Sequence, residues 1–459
     1  MGSGAGEGGE GLSQALRRLS RQIGWRWHTP GHKGRPPAGP DFLDWTLDLT
    51  EVGDLASDEG PWEQSQQQAA RYFGVERVWF SVQGATLPVM AALLGAFRPG
   101  AKVAIERHAH RSVLAALVIG DLNPIWIVPE LGPGGAPWPI SADWQALATD
   151  ADGLVLTRPT YEGIALPDDV LAQAIACFHR QGKVVVVDEA HGAHWWHRAG
   201  YPASALTLGA DLVAHGIHKT ESALTQTGVL YAQGSRVDWT RLEGWWRRLQ
   251  TSSPSYLLLA SIDRWWRHRE AETRGWEALP WRAEQAWEEL VANGHQVLQR
   301  EARRLGLSAD PGKLTVVGTG MDWGRALYPA HAAEKMEPGH LTFILSPWLP
   351  LRPLLAALKP LAAQTRGTPV TWPKSWPLAP QMLSPRQAVE APSRWLAIRG
   401  AVGAVAAEAV TPYPPGIPLI YPGEAITAEA VAWIEEFLGQ RQGIVHGLRA
   451  GQVAVVAEG

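Results

Sequence analysis

Between about residues 61 and 232, short apolar runs rich in β-branched residues alternate with helical ones, and this alternation restricts the fold more than any other feature. Residues 77–81, 102–106, 124–128, 154–157, 183–187, 211–214 and 228–231 read as strands. Residues 87–97, 111–119 and 168–179 read as helices. A helix between two strands returns the chain to the same edge, so successive strands run parallel. Val184 to Val187 form an unbroken apolar run with no polar alternation, which calls for burial on both faces. The segment therefore predicts an α/β domain with a largely parallel sheet and helices on both faces.

At 459 residues the chain exceeds what one core supports. Three regions are expected. Residues 1–60 form an N-terminal helix, with Leu12, Leu16 and Leu19 on one face, followed by an arm of Pro, Gly and Asp clusters. Residues 61–305 form the large domain, with 237–305 mostly helical. Residues 306–459 form a smaller C-terminal α+β domain, with strands at 314–317 and 341–345, helices at 351–361 and 428–437, and a Pro-rich connector at 367–392.

Composition removes several function classes. A net charge of −4 with no basic stripe argues against nucleic acid, and no polybasic run suits a membrane surface. The single cysteine, Cys177, permits no internal disulfide and no two-cysteine metal motif, and it reads as a buried, inert thiol. Residues 1–10 lack the basic and apolar regions of a secretory signal, and 113–119 is too short to span a bilayer, so a cytoplasmic protein is expected.

Ligands of open α/β sheets bind beyond the carboxyl ends of the strands. Five such ends carry polar or Gly-rich clusters: 83–86, 107–112, 158–163, 188–194 and 215–220. Most lysines sit in ordinary settings: Lys102 and Lys183 open strands after Gly turns, and Lys313 follows Pro-Gly in a turn. Lys219 follows a strand inside the small, polar stretch His215 to Thr220. A lysine that attacks a carbonyl must be partly neutral, which desolvation or a nearby cation provides. Asp188, at the end of the valine strand, reads as a helix cap or as the partner of a pyridinium nitrogen. His110 reads as a helix-start residue or as a ring stacked on a planar cofactor. Gly84-Ala85-Thr86 suits a phosphate at a helix N-terminus, although any strand-to-helix turn can contain such residues. His191, His194 and His197 could be read as a metal cluster, but Gly192 interrupts the helix and no further ligand completes it, so no metal is expected. The chain has no GxGxxG after its first strand, and no Gly directly before Lys219-Thr220, which disfavours dinucleotide and NTP chemistry.

Taken in order, these blocks resemble the Orn/Lys/Arg decarboxylase family in its short form, among the fold type I, aspartate-aminotransferase-like pyridoxal-phosphate enzymes. The resemblance runs from about residue 25 to 447. It rests on His28-Thr29-Pro30-Gly31-His32-Lys33-Gly34 and Asp48-Leu49-Thr50-Glu51 in the arm. The large domain contributes Gly84-Ala85-Thr86, Arg107 with His110 and Ser112, Pro159-Thr160-Tyr161-Glu162-Gly163, Asp188-Glu189-Ala190-His191-Gly192-Ala193-His194, His218-Lys219-Thr220 and Thr251-Ser252-Ser253-Pro254-Ser255-Tyr256. Near the C-terminus come Pro412-Tyr413-Pro414-Pro415-Gly416-Ile417-Pro418 and Pro422-Gly423-Glu424.

The resemblance implies a seven-stranded type of sheet and a pyridoxal 5'-phosphate cofactor held as a Schiff base by Lys219. It implies that Asp188 pairs with the ring nitrogen, His110 stacks on the ring and His191 lies near its phenolate oxygen. Ala85, Thr86, Gly216 and His218 would surround the phosphate. The segment containing Ser253 would reach the neighbouring subunit's site, implying a homodimer or higher homo-oligomer with shared active sites. Glu51, Tyr413 and Glu424 would approach a basic amino acid, with Asp54 a further acidic candidate. The implied reaction is decarboxylation of arginine, lysine or ornithine, feeding polyamine synthesis. Another reaction of the same fold type, such as transamination using Arg394 or Arg399, and a catalytically silent regulatory paralogue are the competing readings. The chain departs from the family pattern at Gly216 in place of Ser, Glu221 in place of Leu, Gly228 and Tyr231 in place of Ser and His, Glu162 in place of Asp and Arg111 in place of Lys.

Overall fold

A computed structural model describes residues 25–27, 60–196, 199–364, 376, 378–413, 417–439 and 444–457. Of the region 1–60, only the strand Trp25–Trp27 and the start of a helix at Gly60 are described; the strand pairs in parallel with His331–Ala333. The helix expected around Leu12 and the arm blocks 28–34 and 48–51, including Glu51, lie outside the described residues, as does Asp54.

The large sheet has seven strands: β1 (Arg77–Ser81), β2 (Lys102–Glu106), β3 (Asn123–Ile127), β4 (Gly153–Thr157), β5 (Val184–Asp188), β6 (Leu212–His215) and β7 (Gly228–Ala232). Their order is β1-β7-β6-β5-β4-β2-β3, and only β7 runs against its neighbours. The period of two in a strand explains how the valine run is used. Val185 and Val187 join one core cluster with Leu154, Leu156, Phe80 and Phe178, while Val184 and Val186 join the opposite cluster with Val155, Leu93 and Ile105. Each such side chain removed from water contributes roughly 1.5–3 kcal/mol, so both faces must be covered. Helices α1 (Thr86–Ala96) and α2 (Arg111–Gly120) lie on one face, and α3 (Asp168–His179) on the other. Thr157 and Ala214 both register with Asp188, so β4, β5 and β6 end level at one edge.

A 37-residue helix, α4 (Tyr256–Ala292), then crosses from one core to another. Leu259, Ile262, Trp265 and Trp266 pack under the large sheet. Trp276, Leu279, Ala283, Trp287 and Leu290, at helical spacing, pack against a second core. That core belongs to an antiparallel sheet of β8 (Gln296–Val297), β9 (Lys313–Val317), β10 (Lys335–Met336) and β11 (His340–Ile344), in the order β8-β9-β11-β10. The helix expected over 351–361 is α-helical only from Arg352 to Leu358 and continues as a 3-10 turn, where Pro360 has no N–H to donate. Lys313, expected in a turn, is the first residue of β9 and is fully buried.

The remaining chain closes a further cluster around Trp376, Ile398, Val410, Ile434 and Val455. Its elements are the helix Ala428–Gly439 and the strands Ser393–Ala397, Gln452–Val456 and Leu448–Arg449. No helix among the described residues is long and apolar enough to cross a membrane.

Candidate active site

The loops leaving β1, β2, β4, β5 and β6 converge at one edge of the large sheet. After β1, Gly84 adopts a positive φ of 64° and donates from its N–H to the Gln226 carbonyl at 2.8 Å. Ala85 then caps α1 without a side-chain hydrogen bond, and Thr86 opens the helix. The first N–H groups of α1 are therefore free of any side-chain cap, as an anion site requires. Gly228 makes this approach possible, since a Cβ there would lie 2.3 Å from the Gly84 carbonyl oxygen and 3.0 Å from the Ala85 nitrogen. His218 flanks the same loop. Its Nδ1–H donates to the Thr227 carbonyl at 2.7 Å, and its Cε1 would be 3.7 Å from a Cβ on Gly84. At Gly216, a Cβ would sit 3.2 Å from the Cδ and Cε of Lys219, so the absent side chain leaves room for the lysine stem.

Asp188 is buried at the end of β5, where Oδ1 accepts from the Ala190 N–H at 3.1 Å. Among the described residues it forms no salt bridge, which leaves a buried carboxylate without a cation. His110 caps α2. Its Nδ1 lies 2.8 Å from Ser112 Oγ and accepts from the Ser112 N–H, which pins an otherwise exposed ring. Lys219 Nζ lies 3.1 Å from His191 Nε2. Burial lowers the affinity of Lys219 for its proton, opposed by the charges of Asp188 and Glu334. His191 is pushed well below the ordinary histidine range, first by burial and then by Lys219 and Lys313.

Two participants were not legible in the sequence. Lys313 reaches in from the second sheet, its Nζ 3.0 Å from His191 Nδ1, and burial brings its pKa down to about 8. Tyr161 packs its ring 4.4 Å from that of His191 and donates to Glu334 Oε1 at 2.5 Å. Glu334 is a half-buried carboxylate whose charge reaches Lys219, His218 and Lys313. The Tyr161 position lay within a quoted motif, but nothing local to Lys313 or Glu334 set them apart.

The other expected residues fall elsewhere. Glu424 is fully buried, with both oxygens held by the Arg107 guanidinium at 2.6 and 2.8 Å and the Tyr421 N–H on Oε2. Its charge is thereby taken up inside the protein. Tyr413 lies in a short strand beside Ile444–His446, and its side chain is outside the described set. Ser253 is exposed on a segment tethered to Gln83, which accepts from the Thr251 N–H and donates to the Leu249 carbonyl. His194 is buried against Asp310 at 2.8 Å and stacked on Trp276, and His197 lies outside the described residues. Glu221, where the resemblance expects Leu, turns into the core, 3.6 Å from Arg269, whose charge faces it. Tyr231 is buried under His215 and Phe73.

These features fit pyridoxal phosphate. An uncapped helix start with a glycine-made recess suits the phosphate, and an unpaired buried carboxylate suits a protonated ring nitrogen. A fixed imidazole face suits the ring, and a lysine with a lowered proton affinity suits the aldehyde.

Comparison with known proteins agrees. Residues 11–303 match the family described as Orn/Lys/Arg decarboxylase, major domain, and residues 378–445 match its C-terminal domain. The chain is 33% identical over 448 residues to an arginine decarboxylase of Halalkalibacterium halodurans, covering 90% of each. It is 32% identical over 466 residues to an arginine decarboxylase of Bacillus subtilis, covering 92% of each. Among solved structures, a lysine decarboxylase of Francisella novicida superposes with a TM-score of 0.76 at 18% identity, covering 97% of this chain and 80% of that one. A serine palmitoyltransferase of Sphingomonas wittichii superposes with a TM-score of 0.56 at 16% identity, covering 75% and 87%. With a fold type I architecture, a site fitted to pyridoxal phosphate and a family match over most of its length, the chain belongs to the Orn/Lys/Arg decarboxylase family.

Proposed function

We propose that the chain decarboxylates a basic amino acid, arginine foremost, and works as a cytoplasmic homodimer or larger homo-oligomer whose product feeds polyamine synthesis. The observation that carries the substrate choice is the pair of full-length relatives above 30% identity, both named arginine decarboxylases; the relatives named lysine decarboxylases match at 25% or below. When bound, pyridoxal phosphate accepts into its ring the electron pair that the departing carboxylate leaves at the α-carbon. The residues supply the rest. Asp188 holds a proton on the ring nitrogen, and the N–H groups from Ala85 and Thr86, with His218, hold the phosphate. His110, fixed by Ser112, fixes the plane of the ring. Lys219, once displaced, would carry the proton given up by the substrate's amino group and is placed to deliver it to the α-carbon. Glu334, oriented by Tyr161, is the carboxylate we assign to the substrate's distal cation, since Glu424 is neutralised by Arg107; Glu51 and Asp54 remain proposals of the sequence.

Carbon dioxide release tests this reading, with arginine, lysine and ornithine offered separately to protein carrying the cofactor. Release from arginine, lost in Lys219→Ala, is expected. A protein that shows cofactor absorbance yet releases nothing from any of the three would not be this decarboxylase.

A further inference from the structure

His191 stands between two lysines, with Lys313 Nζ at 3.0 Å from Nδ1 and Lys219 Nζ at 3.1 Å from Nε2. A neutral imidazole offers one N–H and one lone pair. It can accept from one ammonium and donate to one amine, but cannot accept from two ammonium groups. The trio therefore carries at most one extra proton. Burial and the flanking lysines keep that proton off His191, so no more than one of Lys313 and Lys219 is charged.

The surroundings favour Lys313. Its stem is locked, because a Cβ on Gly163 (φ 86°) would lie 2.5 Å from Lys313 Cγ, and Trp287 Nε1 of α4 donates to the Lys313 carbonyl at 3.2 Å. Asp310, Glu162 and Glu334 all bias Lys313 toward its charged form, against the repulsion of Lys219. Lys219 is biased the same way by Asp188 and Glu334 alone. His110 and His218 also face His191, and their positive charge would only push its proton affinity lower.

We propose that Lys313 is a positioning residue which, through His191, keeps Lys219 as the neutral amine that takes up the cofactor. Lys313 donates to Nδ1, the imidazole proton sits on Nε2 and points to Lys219, and the Lys219 nitrogen accepts it. That nitrogen then bonds to the aldehyde carbon of pyridoxal phosphate. The aldehyde oxygen leaves as water with the two protons the nitrogen gives up, so no further reactant is needed. The inference rests on the assignment of Lys219 to the cofactor but is read on the apoprotein.

The test is competitive labelling of the apoprotein with a limiting dose of acetic anhydride across pH, followed by peptide mass spectrometry, with exposed Lys102 as internal reference. In the wild type, the labelling midpoint of Lys219 is expected below those of both Lys313 and Lys102. Lys313→Met should raise the Lys219 midpoint by about one pH unit, and so slow its labelling and its uptake of pyridoxal phosphate about tenfold at pH 7. Lys313→Arg, which keeps the cation, should leave both near wild type. An unchanged midpoint in Lys313→Met, or an equal shift in Lys313→Arg, overturns the proposal. If Lys313→Met does not fold, the wild type alone decides, since Lys313 titrating before Lys219 overturns it. A wild type that takes up no pyridoxal phosphate while showing the expected order of midpoints would refute the proposed function and the cofactor step, and leave standing only the control of Lys219 protonation by Lys313.

Discussion

Gly228→Ala puts a number on how the phosphate recess is made. The added Cβ would meet the Gly84 carbonyl oxygen at 2.3 Å, whereas ordinary contact begins near 3.4 Å, so something must move by about 1 Å. Both contacting groups are backbone. Gly228 is registered opposite Ser81 inside a seven-stranded sheet, while Gly84 is held by its single hydrogen bond to Gln226. The loop is the weaker partner and moves, carrying the Ala85 and Thr86 N–H groups with it. Losing one or two charge-assisted hydrogen bonds to a phosphate costs roughly 1.5–3 kcal/mol each. At about 1.4 kcal/mol per factor of ten, the cofactor should bind about tenfold to about ten thousand-fold more weakly. The assay is titration of apoprotein with pyridoxal phosphate, followed by cofactor absorbance, alongside thermal melts of the apoprotein. Gly400→Ala, where a Cβ meets nothing within 4 Å, is the control and should bind as wild type. Binding within threefold of wild type in Gly228→Ala, with an unchanged melt, would refute the reasoning.

Two further outcomes concern buried charge. Glu221→Leu restores the residue usual in the family but strands Arg269, itself 2% exposed, and should cost about 3–5 kcal/mol in denaturant unfolding; adding Arg269→Met should recover most of that loss. Glu106 is raised to about 8 by burial, only partly offset by the Thr157 N–H. The folded protein therefore keeps a proton that the unfolded chain releases near 4.5, and stability falls by up to a few kcal/mol as pH rises between those values. Denaturant melts at pH 5 and pH 8 should show this slope flattened in Glu106→Gln, and an equal slope in the variant would assign it to other groups.

The large sheet was legible because its signal is local. Each strand declares itself within five residues, and the valine run states by its lack of alternation that both faces are covered. The positions of Lys219, Asp188 and His110 at one sheet edge were legible for the same reason, each standing at or just after the end of a readable strand; their roles remain proposals. Lys313 was not. Its neighbours, Pro311 and Gly312, read as a turn, and only the packing of α4 against the second sheet carries β9 back to His191. Glu424 shows the converse. Its motif marked it as a substrate-facing carboxylate, but a motif cannot reveal that a guanidinium from a distant part of the chain, packed against the Trp126 and Tyr421 rings, already neutralises it. The departures at Gly228 and Glu221 have no explanation in the sequence alone. In the fold each has a counterpart: the close approach of Gly84 and the charge of Arg269.

The pairing of Arg107 with Glu424 joins positions 317 residues apart, and this separation imposes an order on biosynthesis. A ribosome has released Lys219, Asp188, His110 and His191 long before it adds Glu424. Until that residue and Tyr421 arrive, the Arg107 guanidinium stays hydrated, and the sheet edge three positions from His110 stays open to water. Glu424 and Tyr421 thus supply, late in synthesis, the partners of a charge laid down early. A chain terminated before Tyr421 carries every residue assigned to the cofactor and leaves the Arg107 guanidinium without its carboxylate.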